Sequence, residues 1–391
     1  MALGSEAQKV NMESEVPHSS TLGSFPNAEE SRGAQITVVG VGGAGGNIVN
    51  TLANMDMSYV HIVAMNTDSQ VLSKLKKVPL RIRLGEAITG GLGAGSDPET
   101  GKRAAEESKE DISKVLDKSD MVIIVAGMGG GTGTGAAPVI AEVAKNEGAL
   151  VVGIVTLPFR FEGRRKRALA QRGIEELSRY VDALIVIDNE KVRNTSRDMK
   201  KGLPLGQAYR LVDDVVVRGV RGITDIIYTT GTINVDFADV RAVLSEAGKG
   251  YIGLGKAKGE VGGSRVQQAA ERAIKSPLLD IDISTMKPKA VLVNVRVKHM
   301  DVLDLDEFYD VMEYLRDALN MTDEEDEEQF KYGVVEDSSM DEEEVEITVV
   351  AAGLEPVKTG RRGKRRNMFG SRLGGGKKKG SSDDDIYFPE E

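Results

Sequence analysis

The sequence predicts an α/β fold built on a parallel sheet, followed by a long helix and a smaller α+β unit. Three observations predict it. Short, uncharged, β-branched runs at 36–40, 60–65, 121–126, 150–156 and 183–187 alternate with helix-compatible segments, the pattern of strands buried on both faces of a parallel sheet. A stretch at 205–228 repeats Leu211, Val212, Val215, Val216, Val220 and Ile223 at helical spacing, which predicts one long helix buried over much of its length. Beyond it, 290–297 and 345–351 alternate apolar and polar residues, which predicts a sheet exposed on one face, with helices near 267–275 and 305–319.

Taken in order, residues 1–33 are polar and without periodicity and are expected to be disordered. The first strand runs into Gly40-Val41-Gly42-Gly43-Ala44-Gly45-Gly46-Asn47 and then a helical segment. His61 lies inside the second strand and reads as a core or edge residue. A single helix is predicted over 96–116, with Pro98 and Glu99 near its start. Strand 121–126 leads into Gly129-Gly130-Gly131-Thr132-Gly133-Thr134-Gly135 and a helix whose first turn is expected to hold Pro138. Met121, Met128 and Met312 read as packing residues, and Phe159 and Phe161 as cover for a sheet edge. The acidic clusters at 323–328 and 341–344 read as a solvated loop and a strand flank. After Gly353 order is expected to stop, in a basic, Gly-rich tail (Arg361, Arg362, Lys364, Arg365, Arg366, Arg372 and 377–379) that ends in Asp383-Asp384-Asp385-Ile386-Tyr387-Phe388-Pro389. The expected divisions are an extension (1–33), a first domain (34–203), a central helix (204–228), a second domain (229–352) and a tail (353–391).

Composition removes several classes of function. The 391 residues carry a net charge of −10, so nucleic acid is not an expected partner. Aromatic residues make up 4 % and Trp is absent, which argues against base-stacking platforms. There is no cysteine, so disulfides, thiolate catalysis and cysteine-ligated metals are excluded. The three histidines, His18, His61 and His299, form no pair at metal-ligand spacing. No run approaches the roughly 20 apolar residues of a membrane span, and the N-terminus lacks a secretory apolar core, so a cytoplasmic protein is expected.

The chemistry lies in the glycines. A strand, a glycine turn and a helix N-terminus together make a phosphate site, because glycine lets backbone N–H groups approach the anion and the helix dipole favours negative charge. The turn at 129–135 has this form and adds two threonine hydroxyls. Gly40, Gly42 and Gly45 satisfy G-x-G-x-x-G, with Asp68 as a somewhat late ribose acid. A third glycine turn, Gly90-Gly91-Leu92-Gly93-Ala94-Gly95, fits a polyphosphate approached from several sides. No Walker A loop occurs, so backbone amides must hold the phosphates. Asp236 and Asp239, three apart, share one face if they open a helix, where capping and catalysis are both open to them.

With these motifs on the page, the chain resembles the FtsZ family, the tubulin-like GTPases of prokaryotic cell division. The resemblance covers about 36–352 and rests on 40–47, Asn66-Thr67-Asp68, Gly93-Ala94-Gly95, 129–135, Pro158-Phe159-Arg160-Phe161-Glu162-Gly163 and Asn234-Val235-Asp236-Phe237-Ala238-Asp239-Val240. It implies a Rossmann-like parallel-sheet GTPase domain, a long central helix and a smaller α+β C-terminal domain. It also implies that Gly43, Ala44, Gly45, Gly46 and Asn47 lie along the phosphates of GTP or GDP, with Gly129, Gly130, Gly131, Thr132, Gly133 and Thr134 around the β- and γ-phosphates. Glu162 would face the ribose. Lys166 stands where the family usually has Arg; it serves there itself, or a neighbour such as Arg165 or Arg167 substitutes. Asn189 and Asp213 would hydrogen-bond the guanine edge, and Tyr209 would stack on the base. Asn234, Asp236 and Asp239 would enter the neighbouring subunit's site and orient the attacking water, with Mg²⁺ held mainly by phosphates and water. The implied partners are further copies of the chain in head-to-tail protofilaments, a membrane adaptor on the tail and an anionic membrane surface, at the mid-cell division site. The tail peptide departs from the one typical of bacterial members.

Two other readings stand beside this one. A dinucleotide-dependent oxidoreductase built on Gly40–Gly45 predicts NAD binding and no polymer. A non-hydrolysing tubulin-like scaffold predicts bound GTP without turnover, against which stand Asp236 and Asp239.

Overall fold

Six parallel strands carry the first half of the chain: β1 (Ile36–Val41), β2 (Val60–Asn66), β3 (Leu80–Arg83), β4 (Met121–Gly127), β5 (Leu150–Leu157) and β6 (Ala183–Asp188). The computed structural model describes residues 33–55, 57–191, 203–228, 233, 235–275 and 283–357. The expectations for the N-terminal extension, for Asn234 and for the tail from 358 onward lie outside the described residues. The strands lie in the order β3-β2-β1-β4-β5-β6, all parallel. The order reverses between β1 and β4, and in open α/β sheets the crevice beyond the strand ends at such a point is where ligands bind.

Both faces of this sheet are covered, as its unbroken apolar strands require. Alternate residues of one face, among them Val38, Ile123, Ile154 and Ile185, pack with α1 (Gly42–Leu52) and the long α8 (Leu205–Tyr228). The opposite residues, such as Val39, Ile124 and Val155, pack on the other layer. That layer holds α4 (Pro98–Glu107), α5 (Lys109–Leu116), α6 (Thr132–Asn146) and α7 (Arg164–Leu177), preceded by the short α2 (Ser69–Lys74) and α3 (Glu86–Thr89). The predicted single helix over 96–116 is in fact two, broken at Ser108, whose hydroxyl accepts a hydrogen bond from the Gly85 N–H at 2.9 Å. Pro138 lies inside α6, not in its first turn, because the helix already begins at Thr132. The third glycine turn follows α3, not a strand, and packs its Ala94 and Asp97 against Gly131.

The second half holds α9 (Phe237–Leu244), β7 (Gly248–Lys258), α10 (Arg265–Ile274), β8 (Met286–Lys287), β9 (Ala290–Val297), α11 (Leu305–Ala318), β10 (Phe330–Glu336), β11 (Glu344–Ala352) and β12 (Glu355–Pro356). β7 pairs with β6 over three residues and with β11 along its length, so one sheet continues β6-β7-β11-β9-β10. The alternation in β9 and β11 predicts one wet face, yet every residue of both strands is buried. α10 and α11 cover one face, and α8 covers the other with Val216, Val220 and Ile223 against Leu292 and Val350. The polar residues of those strands turn toward α8. Arg296 pairs with Asp225 and, at 3.5 Å, with Glu346. Asp225 also accepts a 2.5 Å hydrogen bond from the Tyr59 hydroxyl. No helix among the described residues is long and apolar enough to cross a membrane.

Candidate functional site

At the switch point two helices start side by side. α1 follows directly on β1, and α6 follows the turn after β4; neither has a side-chain cap nor an acid in its first turn. The first N–H groups of an α-helix have no partner within the helix, so two uncapped, positive helix ends converge on one space, which favours an anion. The turns touch: a Cβ on Gly42 would sit 3.0 Å from the Gly133 nitrogen, and Gly42 has φ +73°. The space is a cavity of about 260 Å³ lined by Gly43, Ala44, Gly127, Met128, Gly130, Gly131, Thr132, Gly133, Thr156, Pro158, Glu162, Lys166, Asn189, Tyr209, Val212 and Asp213.

The glycines divide into two kinds. Gly43 and Ala44 are exposed to the cavity, and Asn47 is exposed on the same turn of α1 without lining it. Gly45 and Gly46 are buried; a Cβ on Gly45 would lie 2.3 Å from the Val125 carbonyl oxygen, so this glycine lets α1 lie against β4. Gly129 also stands back from the cavity. Its φ of +102° turns the chain, and its N–H donates to the Thr134 hydroxyl at 2.7 Å. Thr134 is thus the lock of the 129–134 turn from within, while Thr132 meets Thr67, hydroxyl to hydroxyl, at 2.7 Å. Thr134→Val should cost about 1 kcal/mol, the ordinary worth of one buried hydrogen bond. Urea denaturation checks this; an unchanged midpoint would show that the bond does not hold the turn.

The opposite wall comes from β5, β6, α7 and α8. Glu162 accepts from the Phe159 N–H at 3.0 Å and is bridged by Lys166 at 2.5 Å. Burial and the Glu162 charge, with a hydrogen bond to Glu162, raise the Tyr209 hydroxyl above its ordinary value. The Tyr209 ring stands edge-on to the buried Phe159 at 5.1 Å. Phe159 thus packs under α8, while Phe161 stacks on it and remains 63 % exposed. Between the candidates for the cationic position the geometry is clear. Lys166 faces the cavity, whereas Arg167 is tied to Asp188 and to the Pro158 carbonyl. Arg165 is exposed and its charge acts on Asp97.

Two further lining residues are polar and uncompensated. Asn189 is 6 % exposed, and its Oδ1 has no hydrogen-bond partner among the described residues. Burial lifts the Asp213 carboxyl to about 6, since nothing nearby compensates its charge. A buried amide oxygen without a partner and an acceptor carboxylate, both lining one cavity, call for a ligand with N–H donors. Thr156 and Pro158 also line the cavity, without a role expected from sequence, and so do Met128 and Val212, expected only to pack. Thr156 had a usable signal, a hydroxyl near the end of a buried strand beside the switch point.

Asp236 and Asp239 are not part of this cavity. Asp236 sits at the N-cap of α9, but its side chain makes no capping bond. Asp239 pairs with Lys331 at 2.9 Å. Their place in the fold follows from α8, whose 24 residues span about 36 Å. The helix lines the cavity with Tyr209 and Asp213 and ends where the Tyr228 hydroxyl donates to the Ala34 carbonyl, just before β1. Arg241 of α9 donates to the Asp120 carbonyl at 3.0 Å, just before β4. The acids therefore lie at the starting ends of the strands, and the cavity at their finishing ends, about 23 Å apart along the seven residues of β4.

A parallel sheet with uncapped helix ends and glycine turns at its switch point defines a nucleotide-binding α/β protein. The model of the Tubulin/FtsZ family GTPase domain matches residues 35–197, and that of the FtsZ family C-terminal domain matches 248–355. An empty FtsZ dimer from M. jannaschii is 36 % identical at a TM-score of 0.75, over 85 % of this chain and 95 % of that one. A mutant FtsZ from the same organism is 38 % identical at a TM-score of 0.75, over 82 % and 92 %. CetZ2 from Haloferax volcanii, solved as a GTPγS-bound protofilament, shares the fold at 22 % identity and a TM-score of 0.67, over 82 % and 93 %. The chain belongs to the FtsZ family. It is a guanine-nucleotide-binding GTPase of the tubulin-like cytoskeleton.

Proposed function

We propose that this chain polymerises head to tail and hydrolyses GTP at the junction between two copies, as the filament of the cell-division ring. One observation carries the reading: the nucleotide cavity and the acids Asp236 and Asp239 lie at opposite ends of the same sheet, so no single copy brings them together. A second copy stacked on the first would supply the missing acids. The exposed apolar residues suit that contact, with Leu92, Phe161 and Leu205 on segments flanking the cavity. At the other end Tyr332 adjoins Lys331, the partner of Asp239, and Leu305 and Tyr309 flank Phe308, which packs on Tyr332. The FtsZ dimer and CetZ2 protofilament among the relatives are consistent with self-association.

In this reading the amides of Gly43, Ala44 and 130–133 hold the phosphates, with Asn47 beside them and Gly45, Gly46, Gly129 and Thr134 setting the turns. Glu162 and Lys166 meet the ribose, Tyr209 the base, and Asn189 and Asp213 the guanine N–H groups. Asp236 and Asp239, with Asn234, orient the attacking water; positioning and charge suffice for phosphoryl transfer, so no protein nucleophile is required. The described residues contain no cluster of three acids or histidines able to hold a metal, so Mg²⁺ would be carried by phosphate oxygens and water. The tail would recruit a membrane adaptor at mid-cell and meet the anionic membrane surface through its basic residues. GTP turnover per chain should rise with protein concentration; turnover that is independent of concentration contradicts a shared site.

Membership of the FtsZ family sets aside the oxidoreductase reading, since Gly40 and Gly45 here close the strand–helix packing. Phosphate release measured on polymers separates hydrolysis from a passive scaffold. The guanine assignment also predicts a pH dependence. Guanine N–H donors favour ionised Asp213, so binding lowers its pKa from about 6. GTP affinity should therefore be flat above that pH and fall by up to about tenfold per unit below it. Asp213→Asn should weaken binding and remove the slope, as equilibrium titration of nucleotide would show; a slope that survives in the variant contradicts the assignment.

A further inference from the structure

The two outermost strands of the sheet, β3 and β10, lie beside opposite charge. Beside one of them, the end of α2, the turn after it and β3 expose Lys74, Lys76, Lys77 and Arg81, and none of the four has an acidic partner among the described residues. The nearby Glu86 is taken by Arg83. At the other edge, the turn ahead of β10 exposes Glu324, Glu325 and Glu328, again without cationic partners among the described residues. Lys287 there is committed to Asp323 and Asp326. Charged residues on an edge strand commonly serve to prevent strand pairing between molecules. That accounts for Arg81 and Arg83, which lie in β3, but not for three lysines outside it or for the acidic set. In a chain of net charge −10, an unpaired cluster of cations is a local exception that asks for an anionic partner.

We propose that the basic rim of the β3 edge docks on the acidic turn ahead of β10 in a second copy, so that copies associate side by side. The matching of the two edges favours this occupant: each offers the charge that the other lacks. Because the two surfaces differ, the contact is heterologous and continues from copy to copy. Being exposed and ionic, it is weakened as added salt shortens the screening length.

The absence of cysteine makes the test direct. Full-length chains carrying Lys77→Cys and Glu325→Cys are mixed at low salt and treated with a short bifunctional thiol reagent. A cross-linked dimer is expected from the mixture, not from either chain alone, and it should disappear at high salt. Lys74→Glu with Lys76→Glu in the first chain should reduce the yield on the order of tenfold, and Glu324→Lys with Glu328→Lys in the second should restore it. The proposal is overturned if the mixture gives no dimer, if each chain cross-links to itself as readily, or if reversal leaves the yield unchanged. It is also overturned if the basic rim is needed only for binding phosphatidylglycerol vesicles. The readout does not use GTP turnover, so it succeeds or fails separately from the head-to-tail reading.

Discussion

Asp236→Ala combined with Asp239→Ala is expected to lower GTP turnover by about 10²- to 10⁴-fold, the usual worth of groups that position or activate a water, while nucleotide affinity is unchanged. The separation of effects follows from place. Neither acid lines the cavity, so removing both leaves Asn189, Asp213, the glycine turns and the two helix ends intact. Neither supports the fold by capping α9, and Asp239 gives up only a half-exposed pair with Lys331, a contact worth little in water. The variant should therefore unfold at the wild-type denaturant midpoint and bind GTP normally. Normal turnover in the double variant would remove these acids from the reaction.

The second large effect concerns stability. Asp225 is 2 % exposed and Arg296 5 %, and they pair between α8 and β9. Asp225 also takes the Tyr59 hydroxyl, and Arg221 approaches it at 3.6 Å. Asp225→Ala leaves the buried Arg296 guanidinium and the half-buried Tyr59 hydroxyl without this partner. Breaking one side of a buried pair typically costs about 3–5 kcal/mol, several times the expected loss for Thr134→Val. Adding Arg296→Met removes that stranded charge and should recover part of the loss, the recovery being limited because Glu346 gives up Arg296 and keeps only Arg218, at 4.0 Å. Denaturant titration of the single and double variants checks both statements. A single variant with the wild-type midpoint would contradict them.

These two predictions draw on parts of the molecule that the sequence exposes unequally. The parallel sheet and its glycine turns were legible because their signals are local: an uncharged β-branched run, then glycine, then a helix. Tyr209, Val212 and Asp213 fall on one stretch of a long amphipathic helix, so their shared exposure to the cavity follows from helical spacing. The buried network was not legible. Arg296 and Glu346 alternate with valines and isoleucine in their strands and so imitate a solvated face. Only the packing of α8 on the second half of the sheet shows that the face is covered. The roles within the glycine turns were likewise hidden. Whether glycine faces the cavity, as at Gly43, or lets backbones touch, as at Gly45, depends on what stands opposite, and residue type does not record that. The break at Ser108 depends on a bond to Gly85, 23 residues away.

The central claim is that one copy holds the nucleotide and another brings the acids. Mixing two inactive chains tests it most directly. One chain carries Asp236→Ala and Asp239→Ala, with its cavity intact; the other carries Asn189→Ala and Asp213→Ala, with its acids intact. Each alone should be nearly silent in a phosphate-release assay, and the mixture should recover a substantial fraction of wild-type turnover, because the first chain's cavity meets the second chain's acids. A mixture no more active than its components, with both chains folded, would contradict a site shared between copies.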